Sequence, residues 1–318
     1  MNVSIPKREF SREEIDDLRE RLRDYKNDGA LSWAEVAQRT GTAPGTISQW
    51  VSGQYDKGEY WKNQDIPGRI HRFFEHKQEA AELDATLPSI PDFQMTNTAK
   101  RVMTAFAIAQ NGDMVSVASA PGVGKTAAIK QYAATKPQVW VVTAAPSTRG
   151  VPTFLISLLV ALGEGEAKGT PQLLSAKVRR RVAGSGGLII VDEAQNLSQQ
   201  ALEELRSIHD ETEIGVALVG DENLTVNLRR YAQLYSRLGM RLALKPNPAD
   251  AEIIARAWQI ERPAELTLLK EIGRKGGALR AITKVMKLAV QAARASNEPL
   301  TIDGIKEAHQ QLYGEGAL

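Results

Sequence analysis

The sequence predicts an α/β fold built on a parallel sheet, with a helical C-terminal region and a small all-α domain at the N-terminus. Between residues 96 and 246, short apolar runs typical of buried strands alternate with longer segments typical of amphipathic helices. The segment before residue 84 and the segment after residue 247 carry helical patterns. We therefore expect domains at 1–84, 96–246 and 247–318, with a linker at 85–95.

The composition limits the functions that the chain can have. Its 318 residues carry a formal net charge of +2, so any contact with nucleic acid must come from local basic surface. The absence of cysteine excludes disulfides, thiolate metal sites and cysteine nucleophiles. No apolar run approaches the roughly 20 residues that span a membrane, so we expect a cytoplasmic protein with no membrane partner.

The N-terminal domain has a pattern that favours DNA binding. Helices predicted over 11–26 and 69–82 flank two short helices within 32–55, which meet at a glycine. In a helix-turn-helix, Thr46 and Gln49 would face outward on the second helix and contact DNA. A pair of ordinary core helices in a small α-domain gives the same pattern, so both interpretations remain open.

The linker has its own composition. Pro88 and Pro91 lie in a segment without hydrophobic periodicity, which indicates a connection or a strap lying across the next domain. An amphipathic helix over 96–110 then leads into the first strand.

A glycine-rich loop follows that strand and precedes a helix, which is the context of a phosphate-binding loop. Gly122 and Gly124 allow the tight turn, Lys125 should reach the outer phosphates, and the Thr126 hydroxyl can bind Mg²⁺. The usual pattern begins with glycine, whereas Ser119 stands here. The alternative is a glycine-rich turn with a solvated lysine. We expect ATP to contact Ala120, Pro121, Gly122, Val123, Gly124, Lys125, Thr126 and Ala127.

The next part of the chain contains the most basic loops of the domain. A buried strand over 138–143 is followed by a loop with Thr148 and Arg149, and a second loop contains Lys168. The helix predicted after that loop ends in an arginine cluster that begins at Arg179. These residues are candidates for DNA binding, and ordinary solvated surface charge is the alternative for each.

The second motif that carries chemistry is the strand 188–191 with the carboxylates that follow it. In open parallel sheets, ligands bind at the carboxyl ends of the strands. Asp192 can therefore hold Mg²⁺ and Glu193 can orient and deprotonate the attacking water. Simple helix capping by Asp192 is the alternative.

Polar and basic residues continue the site. The strand 214–220 is followed by Asp221 and Asn223, and either can sense the γ-phosphate, although a carboxylate there repels phosphate unless Mg²⁺ or water intervenes. Arg237 is the candidate for an arginine that reaches a neighbouring subunit's γ-phosphate, with surface charge or an internal ion pair as the alternative.

The C-terminal region is predicted to form a helical lid over the nucleotide. Proline or glycine separates the predicted helices. The motif Gly-Gly-Ala-Leu-Arg places Arg280 in the first turn of the third of these helices, where it can touch the nucleotide. The predicted helices are 249–259, 263–273, 277–295 and 302–312.

Together these motifs resemble the AAA+ ATPases. The segments PGVGKT, LIIVDEAQNL, ALEELR, QLYSRL and GALRAI resemble more closely the target-selecting transposon ATPases, the family of the phage Mu transposition protein B. This resemblance implies that ATP binds between adjacent subunits and that the ATP-bound protein forms a helical filament on double-stranded DNA with little sequence preference. It further implies delivery of that DNA to a cognate transposase, hydrolysis of ATP to ADP, and DNA contacts by the loops of Thr148, Arg149 and Lys168.

Two other functions fit the same motifs. A helicase loader or replication initiator of the same fold would need an origin sequence or a helicase partner. A transcription regulator switched by ATP would use the helix-turn-helix to recognise one operator.

Overall fold

The computed structural model describes residues 8–54, 65–86, 88–165, 167–275, 277–314 and 316. The chain divides into two compact units, Met1–Leu87 and Pro88–Leu318. Several positions named in the sequence analysis lie outside the described residues: both chain termini, Tyr55 at the end of the 32–55 segment, Leu87 in the linker and Gly276 in the lid motif.

The first unit is all-helical. Its helices are α1 (Arg12–Asp28), α2 (Trp33–Thr40), α3 (Pro44–Val51) and α4 (Ile66–Thr86). Ser11 and Ser32 each begin a helix with a capping box, in which the serine and a glutamate satisfy backbone N–H groups reciprocally. Gly41 adopts a left-handed conformation (φ 66°) at the turn between α2 and α3. The core is formed by Leu18, Leu22, Val36, Ile47, Trp50 and Ile70.

The last helix of this unit differs from the prediction at both ends. We expected 69–82, whereas α4 begins at Ile66 and continues to Thr86. Pro67 explains the earlier start, because proline is favoured in the first turn of a helix, where its missing N–H costs nothing. The helix therefore extends into the segment that we predicted as a linker.

The second unit contains the predicted parallel sheet. The strands are β1 (Met114–Ser119), β2 (Val139–Thr143), β3 (Leu188–Asp192), β4 (Gly215–Gly220) and β5 (Leu238–Leu244). They pair in the order β2-β3-β4-β1-β5, and every pairing is parallel. All residues of β1, β3 and β4 are buried, as expected for strands covered on both faces. The predicted α/β class is confirmed.

Helices cover both faces of this sheet. Side chains of α5 (Asn97–Gln110) and α6 (Lys125–Thr135) pack in one hydrophobic cluster with one face. The opposite face packs against α7 (Val151–Ala161), α8 (Pro171–Val182) and α9 (Gln199–Thr212). Two short helices that the sequence did not predict, α10 (Glu222–Arg229) and α11 (Ala232–Ser236), follow β4. Their few turns are too short for a hydrophobic period to be recognised.

The C-terminal part consists of the helices predicted for the lid. They are α12 (Pro248–Ala257), α13 (Pro263–Arg274), α14 (Ala278–Ala295) and α15 (Ile302–Tyr313). These helices bury a hydrophobic cluster of their own, formed by Ala255, Leu269, Ile272, Ile282, Val285, Met286, Ile305 and others. None of the helices in the described part of the chain is long and apolar enough to cross a membrane.

A buried carboxylate joins the lid to the sheet domain. Asp250, in the first turn of α12, is only 1% exposed, and its oxygens accept hydrogen bonds from the backbone N–H groups of Asn97 (2.7 Å) and Thr98 (3.1 Å). These N–H groups belong to the first turn of α5, where a negative charge also interacts favourably with the helix dipole. The lid therefore caps a helix of the sheet domain.

We expect Asp250→Ala to lower the free energy of unfolding of the 88–318 unit by about 2 kcal/mol, because two backbone N–H groups lose their acceptors. Urea unfolding of the full chain, followed by circular dichroism, measures this change. Asp303→Ala is the matched control, because Asp303 also lies in the first turn of a lid helix but its side chain is 78% exposed. Equal losses in the two variants would contradict the capping role.

Candidate active site

The phosphate-binding loop lies between β1 and α6, as predicted. Gly122 (φ 84°) and Gly124 (φ 100°) both have left-handed backbone conformations that side chains rarely adopt. Space also requires glycine at one of them, because a Cβ atom on Gly122 would lie 1.9 Å from the carbonyl oxygen of Gly277. Helix α6 begins at Lys125, so its N-terminus with free N–H groups directly follows the loop.

Lys125 is held at the base of the loop by Ser119. Its Nζ donates hydrogen bonds to Ser119 Oγ (2.8 Å) and to the Ser119 carbonyl oxygen (3.1 Å). Burial lowers the pKa of Lys125, while the carboxylates of Glu193, Asp192 and Asp221 act in the opposite direction. The serine that replaces the usual glycine therefore supplies a polar partner for the lysine.

Thr126 and Asp192 meet as a pair of oxygen ligands. The Thr126 hydroxyl donates to Asp192 Oδ2 over 3.2 Å, across the gap between α6 and the end of β3. Asp192 is 5% exposed, and burial raises its pKa. A hydroxyl and a desolvated carboxylate suit Mg²⁺, which prefers hard oxygen ligands and commonly takes one or two from the protein and the rest from phosphates and water. The residues present therefore fit the metal ion.

Glu193 lies immediately beyond β3 in a left-handed conformation (φ 55°), which ends the strand and begins a short 3₁₀ turn, Ala194–Asn196. Its carboxylate accepts a hydrogen bond from Gln195 Nε2 (2.5 Å). Both side chains line the same cavity.

This cavity has a volume of about 590 Å³. It is lined by Pro121, Gly122, Gly124, Lys125, Thr126 and Ala127 of the phosphate loop, together with Glu193 and Asp221. Phe93, Gln94, Ile254, Leu279 and Thr283 also line it. The strap predicted at the linker therefore forms part of the cavity, as does the lid. A lining that combines a phosphate loop with apolar side chains suits a nucleotide.

Two residues of the predicted loop do not line the cavity. The side chain of Val123 is buried (2% exposed) beneath the loop, and Ala120 uses its carbonyl oxygen as an acceptor for the Ser119 hydroxyl. Val123 therefore supports the loop through its buried side chain, and Ala120 through its backbone carbonyl group.

The structure separates the two candidates at the end of β4. The Asp221 carboxylate accepts hydrogen bonds from the Asn223 backbone N–H (2.9 Å) and from Asn223 Nδ2 (3.0 Å), so it caps α10. Asp221 lines the cavity, whereas the exposed Asn223 does not.

The lid reaches the loop through Arg280. Its backbone N–H donates to the carbonyl oxygen of Gly122 (3.3 Å), and the residue lines the cavity. Gly277, whose positive φ (93°) begins α14, brings the lid helix this close. Arg280 therefore lies in the first turn of α14, beside the phosphate loop.

Arg237 follows α11 and does not line this cavity. Its side chain is 53% exposed, and its Nε forms an ion pair with Asp210 (2.9 Å). The structure therefore places Arg237 in an internal ion pair, the alternative named in the sequence analysis, while half of its side chain remains exposed.

The predicted DNA-binding residues differ in their surroundings. Arg149 and Lys168 are exposed. Thr148 is half-buried, and its hydroxyl closes a turn with the backbone of Ala145. Arg179 is engaged by Glu204 (3.1 Å) and by Glu211 on α9, so its charge is balanced within the chain. We therefore leave Arg179 and the Thr148 side chain out of the proposed DNA surface.

The first unit presents its candidates on α3, where Gln49 is exposed and Thr46 half-buried. Arginines of this unit hold the helix in place. Arg19 Nε donates to the Trp50 carbonyl oxygen (2.8 Å) and Arg23 to that of Val51 (2.6 Å). These guanidinium groups satisfy carbonyl groups at the C-terminus of α3.

Sequence reasoning did not single out several of the residues that line the cavity, among them Phe93, Gln94 and Gln195. Phe93 and Gln94 lie in a segment without periodicity, and only its prolines indicated a strap. Gln195 follows the two acidic residues, but nothing in its local pattern distinguishes it from an ordinary turn residue.

The sequence matches two protein-family models. They are described as "AAA domain", matched by residues 109–228, and "Mu B transposition protein, C terminal", matched by residues 236–312. The ATP-dependent target DNA activator B of Escherichia phage Mu is 34% identical over 306 residues, which cover 94% of this chain and 96% of that protein. The Mu-like prophage FluMu DNA transposition protein B of Haemophilus influenzae is 31% identical over 274 residues, covering 83% of this chain and 93% of that protein.

Solved structures with low sequence identity share the fold. Cdc6p from Pyrobaculum aerophilum superposes with a TM-score of 0.54 at 12% identity, covering 72% of this chain and 70% of that one. The Orc1 protein of Aeropyrum pernix, solved in complex with DNA, gives a TM-score of 0.52 at 17% identity, covering 71% and 68%. These similarities concern the fold alone.

We expect Lys125→Ala to weaken ATP binding by about 100-fold, because a charged hydrogen-bond donor to the phosphates is lost. Titration with a fluorescent ATP analogue measures the dissociation constant. Lys130→Ala is the control, since Lys130 is exposed on the same helix and does not line the cavity. Retained ATP affinity in Lys125→Ala would contradict the assignment of the loop.

Proposed function

Since the chain belongs to the family of the Mu B transposition proteins, we propose that it activates target DNA for transposition in an ATP-dependent manner. The family membership rests on 34% identity over almost the whole length of both chains. The chain is an ATPase with the AAA+ fold. The observation that carries the proposal is the cavity in which a phosphate loop, two acidic residues and a lid arginine meet.

The polar residues in and beside this cavity have separate roles in hydrolysis. Lys125 and the loop backbone bind the β- and γ-phosphates, and Arg280 contacts the nucleotide from the lid. Thr126 and Asp192 would hold Mg²⁺, and the ion would neutralise phosphate charge. Glu193 accepts a proton from the water that attacks the γ-phosphorus, and ATP is hydrolysed to ADP and phosphate. Asp221 lines the same cavity, and its carboxylate would need a cation or a water between it and the γ-phosphate, because direct contact would be repulsive.

Arg237 supplies the remaining positive charge from a neighbouring subunit. It is half-exposed and lies outside the cavity of its own subunit. An arginine that acts on a neighbour's γ-phosphate makes hydrolysis dependent on assembly. Repeating this head-to-tail contact without closure produces a helical filament.

The filament holds double-stranded DNA through its phosphates, with little preference for sequence. Arg149 and Lys168 supply an exposed charge each per subunit. A protein with a formal charge of +2 binds DNA weakly as a monomer, whereas many repeated contacts along one duplex add up. The DNA held in this way is delivered to the cognate transposase. Both proteins act in the cytoplasm, which is the host cell's cytoplasm if the protein is phage-encoded.

The N-terminal unit is proposed as a second DNA contact. Thr46 and Gln49 on α3 carry no charge, so their contribution would be to orient the duplex or read bases in its groove. A footprint confined to one operator would instead favour the transcription regulator, and capture of a helicase would favour the helicase loader.

We expect Glu193→Gln to bind ATP with unchanged affinity while its turnover falls by about 10²–10⁴-fold, because the amide cannot accept the proton. With ATP and DNA, the variant should therefore remain assembled on the duplex. Steady-state hydrolysis and co-sedimentation with DNA measure the two effects. Turnover at the wild-type rate would remove Glu193 as the base.

We expect Arg237→Ala to retain ATP binding but to lose DNA-stimulated hydrolysis by roughly 10³-fold or more, the effect of a missing arginine at the γ-phosphate. Asp210→Ala is the matched control, because it removes the ion pair yet leaves the guanidinium in place. Hydrolysis that survives in Arg237→Ala would assign the role to another arginine, Arg230 or Arg241.

A further inference from the structure

The short turn after β3, Ala194–Asn196, connects the proposed base Glu193 to the end of β4 through hydrogen bonds. Gln195 lies in this turn, and its side-chain amide makes a hydrogen bond at each end. Nε2 donates to Glu193 Oε2 over 2.5 Å, and Oε1 accepts from the backbone N–H of Asp221 over 3.3 Å. A carboxylate needs a donor and an N–H needs an acceptor, so the two partners together fix the orientation of the amide.

The end of β4 provides the space for this amide. A Cβ atom on Gly220 would lie 2.3 Å from Gln195 Oε1, so any side chain at this position would displace the glutamine. Gly220 has no positive φ that would require glycine for conformational reasons. Both Gln195 and Leu224, whose Cδ2 would lie 3.1 Å from that Cβ atom, leave no room for a side chain here without a shift.

The neighbouring Asn196 braces the same turn in the other direction. Its Nδ2 donates to the carbonyl oxygen of Ala144, just beyond β2, over 3.1 Å. The turn is thus tied to β2 by Asn196 and to β4 by Gln195. Of these two side chains, only that of Gln195 touches the carboxylate of Glu193.

Glu193 depends on this contact because its other interactions do not fix the side chain. Its own backbone is held in the left-handed conformation, and its backbone N–H is bonded to Asp192 Oδ1 (3.0 Å). Among the described residues, Gln195 is the side chain that donates a hydrogen bond to the Glu193 carboxylate. Without it, the carboxylate is free to rotate away from the cavity wall.

We propose that Gln195 is a positioning residue that holds the Glu193 carboxylate against the cavity wall and links it to the end of β4 at Asp221. The assignment rests on the proposed hydrolysis with Glu193 as the base. Asp221 lines the same cavity as the phosphate loop, and its backbone N–H donates to Gln195 Oε1. A shift of Asp221 at the end of β4 therefore moves the Gln195 amide. The side chain of Gln195 therefore links the position of the Glu193 carboxylate to the position of Asp221.

The test compares full-length Gln195→Ala, Gln195→Glu and Asn196→Ala with the wild type in DNA-stimulated ATP hydrolysis. Gln195→Glu retains an acceptor for the Asp221 N–H but offers the Glu193 carboxylate no amide donor. We expect both Gln195 variants to lower kcat by about 10–100-fold, the scale of a misplaced catalytic group, with ATP dissociation constants within about 2-fold of the wild type. Asn196→Ala, which removes only the parallel brace, should keep kcat within about 3-fold. The melting temperature of each variant is recorded alongside.

The outcomes separate this inference from the proposed function. A wild-type kcat in Gln195→Ala, or a kcat above it, would overturn the positioning role while leaving the ATPase intact. Equal losses in the Gln195 and Asn196 variants would assign the effect to the turn as a whole and also overturn it, as would weaker ATP binding at unchanged kcat. A wild-type protein without ATP hydrolysis would instead overturn the proposed function itself.

Discussion

The rest of the account depends on the balance of charge in the nucleotide cavity. Lys125 and Arg280 are the basic residues that line it, whereas Asp92, Glu193 and Asp221 are acidic. The carboxylates of Glu193, Asp192 and Asp221 lie close enough to Lys125 to raise its pKa against the effect of burial. A triphosphate adds further negative charge to this partly desolvated space, where like charges repel more strongly than in water. The cavity of one subunit is therefore short of positive charge. A divalent cation at Thr126 and Asp192 and a guanidinium from a neighbour would correct this shortage.

Contacts between the sheet domain and the lid give the nucleotide a means of affecting the rest of the chain. Gly122 in the phosphate loop contacts Gly277 and the Arg280 N–H at the start of α14. Asp250, at the start of α12, caps α5. The lid thus contacts the sheet domain at two places, the phosphate loop and the N-terminus of α5. A change in the loop on nucleotide binding would act first on these contacts, because close-packed elements do not deform independently.

How much of the site the sequence predicts depends on how local each interaction is. The loop around Lys125 and the acidic pair after β3 were predicted because strand, turn and helix signals lie within a few residues of them. Gln195 was missed because its role depends on the backbone of Asp221, which β4 brings beside it from 26 residues away. Arg179 belongs to a basic run in the sequence, yet its carboxylate partners lie on α9. A linear pattern of charge does not reveal such pairing between helices.

The same reasoning applies to the larger architecture. Strand and lid helix positions followed from hydrophobic periodicity, which the sheet and the lid cluster reproduce. The short helices α10 and α11 were not predicted. Asn223 lies in α10 and Arg237 directly follows α11, and the sequence left the roles of both residues open. Their geometry is determined by capping at Asp221 and by packing against the sheet, which periodicity does not describe.

Mixing two inactive variants tests most directly whether one subunit completes the site of the next. Glu193→Gln binds ATP and retains Arg237 but lacks the base, and Arg237→Ala keeps the base but lacks the guanidinium. The account predicts that each variant alone, with DNA, hydrolyses almost no ATP and that an equimolar mixture recovers up to about a quarter of the wild-type rate, since random assembly places the complementary pair at that share of interfaces. A mixture that stays as inactive as its components would contradict the claim that the arginine acts between subunits.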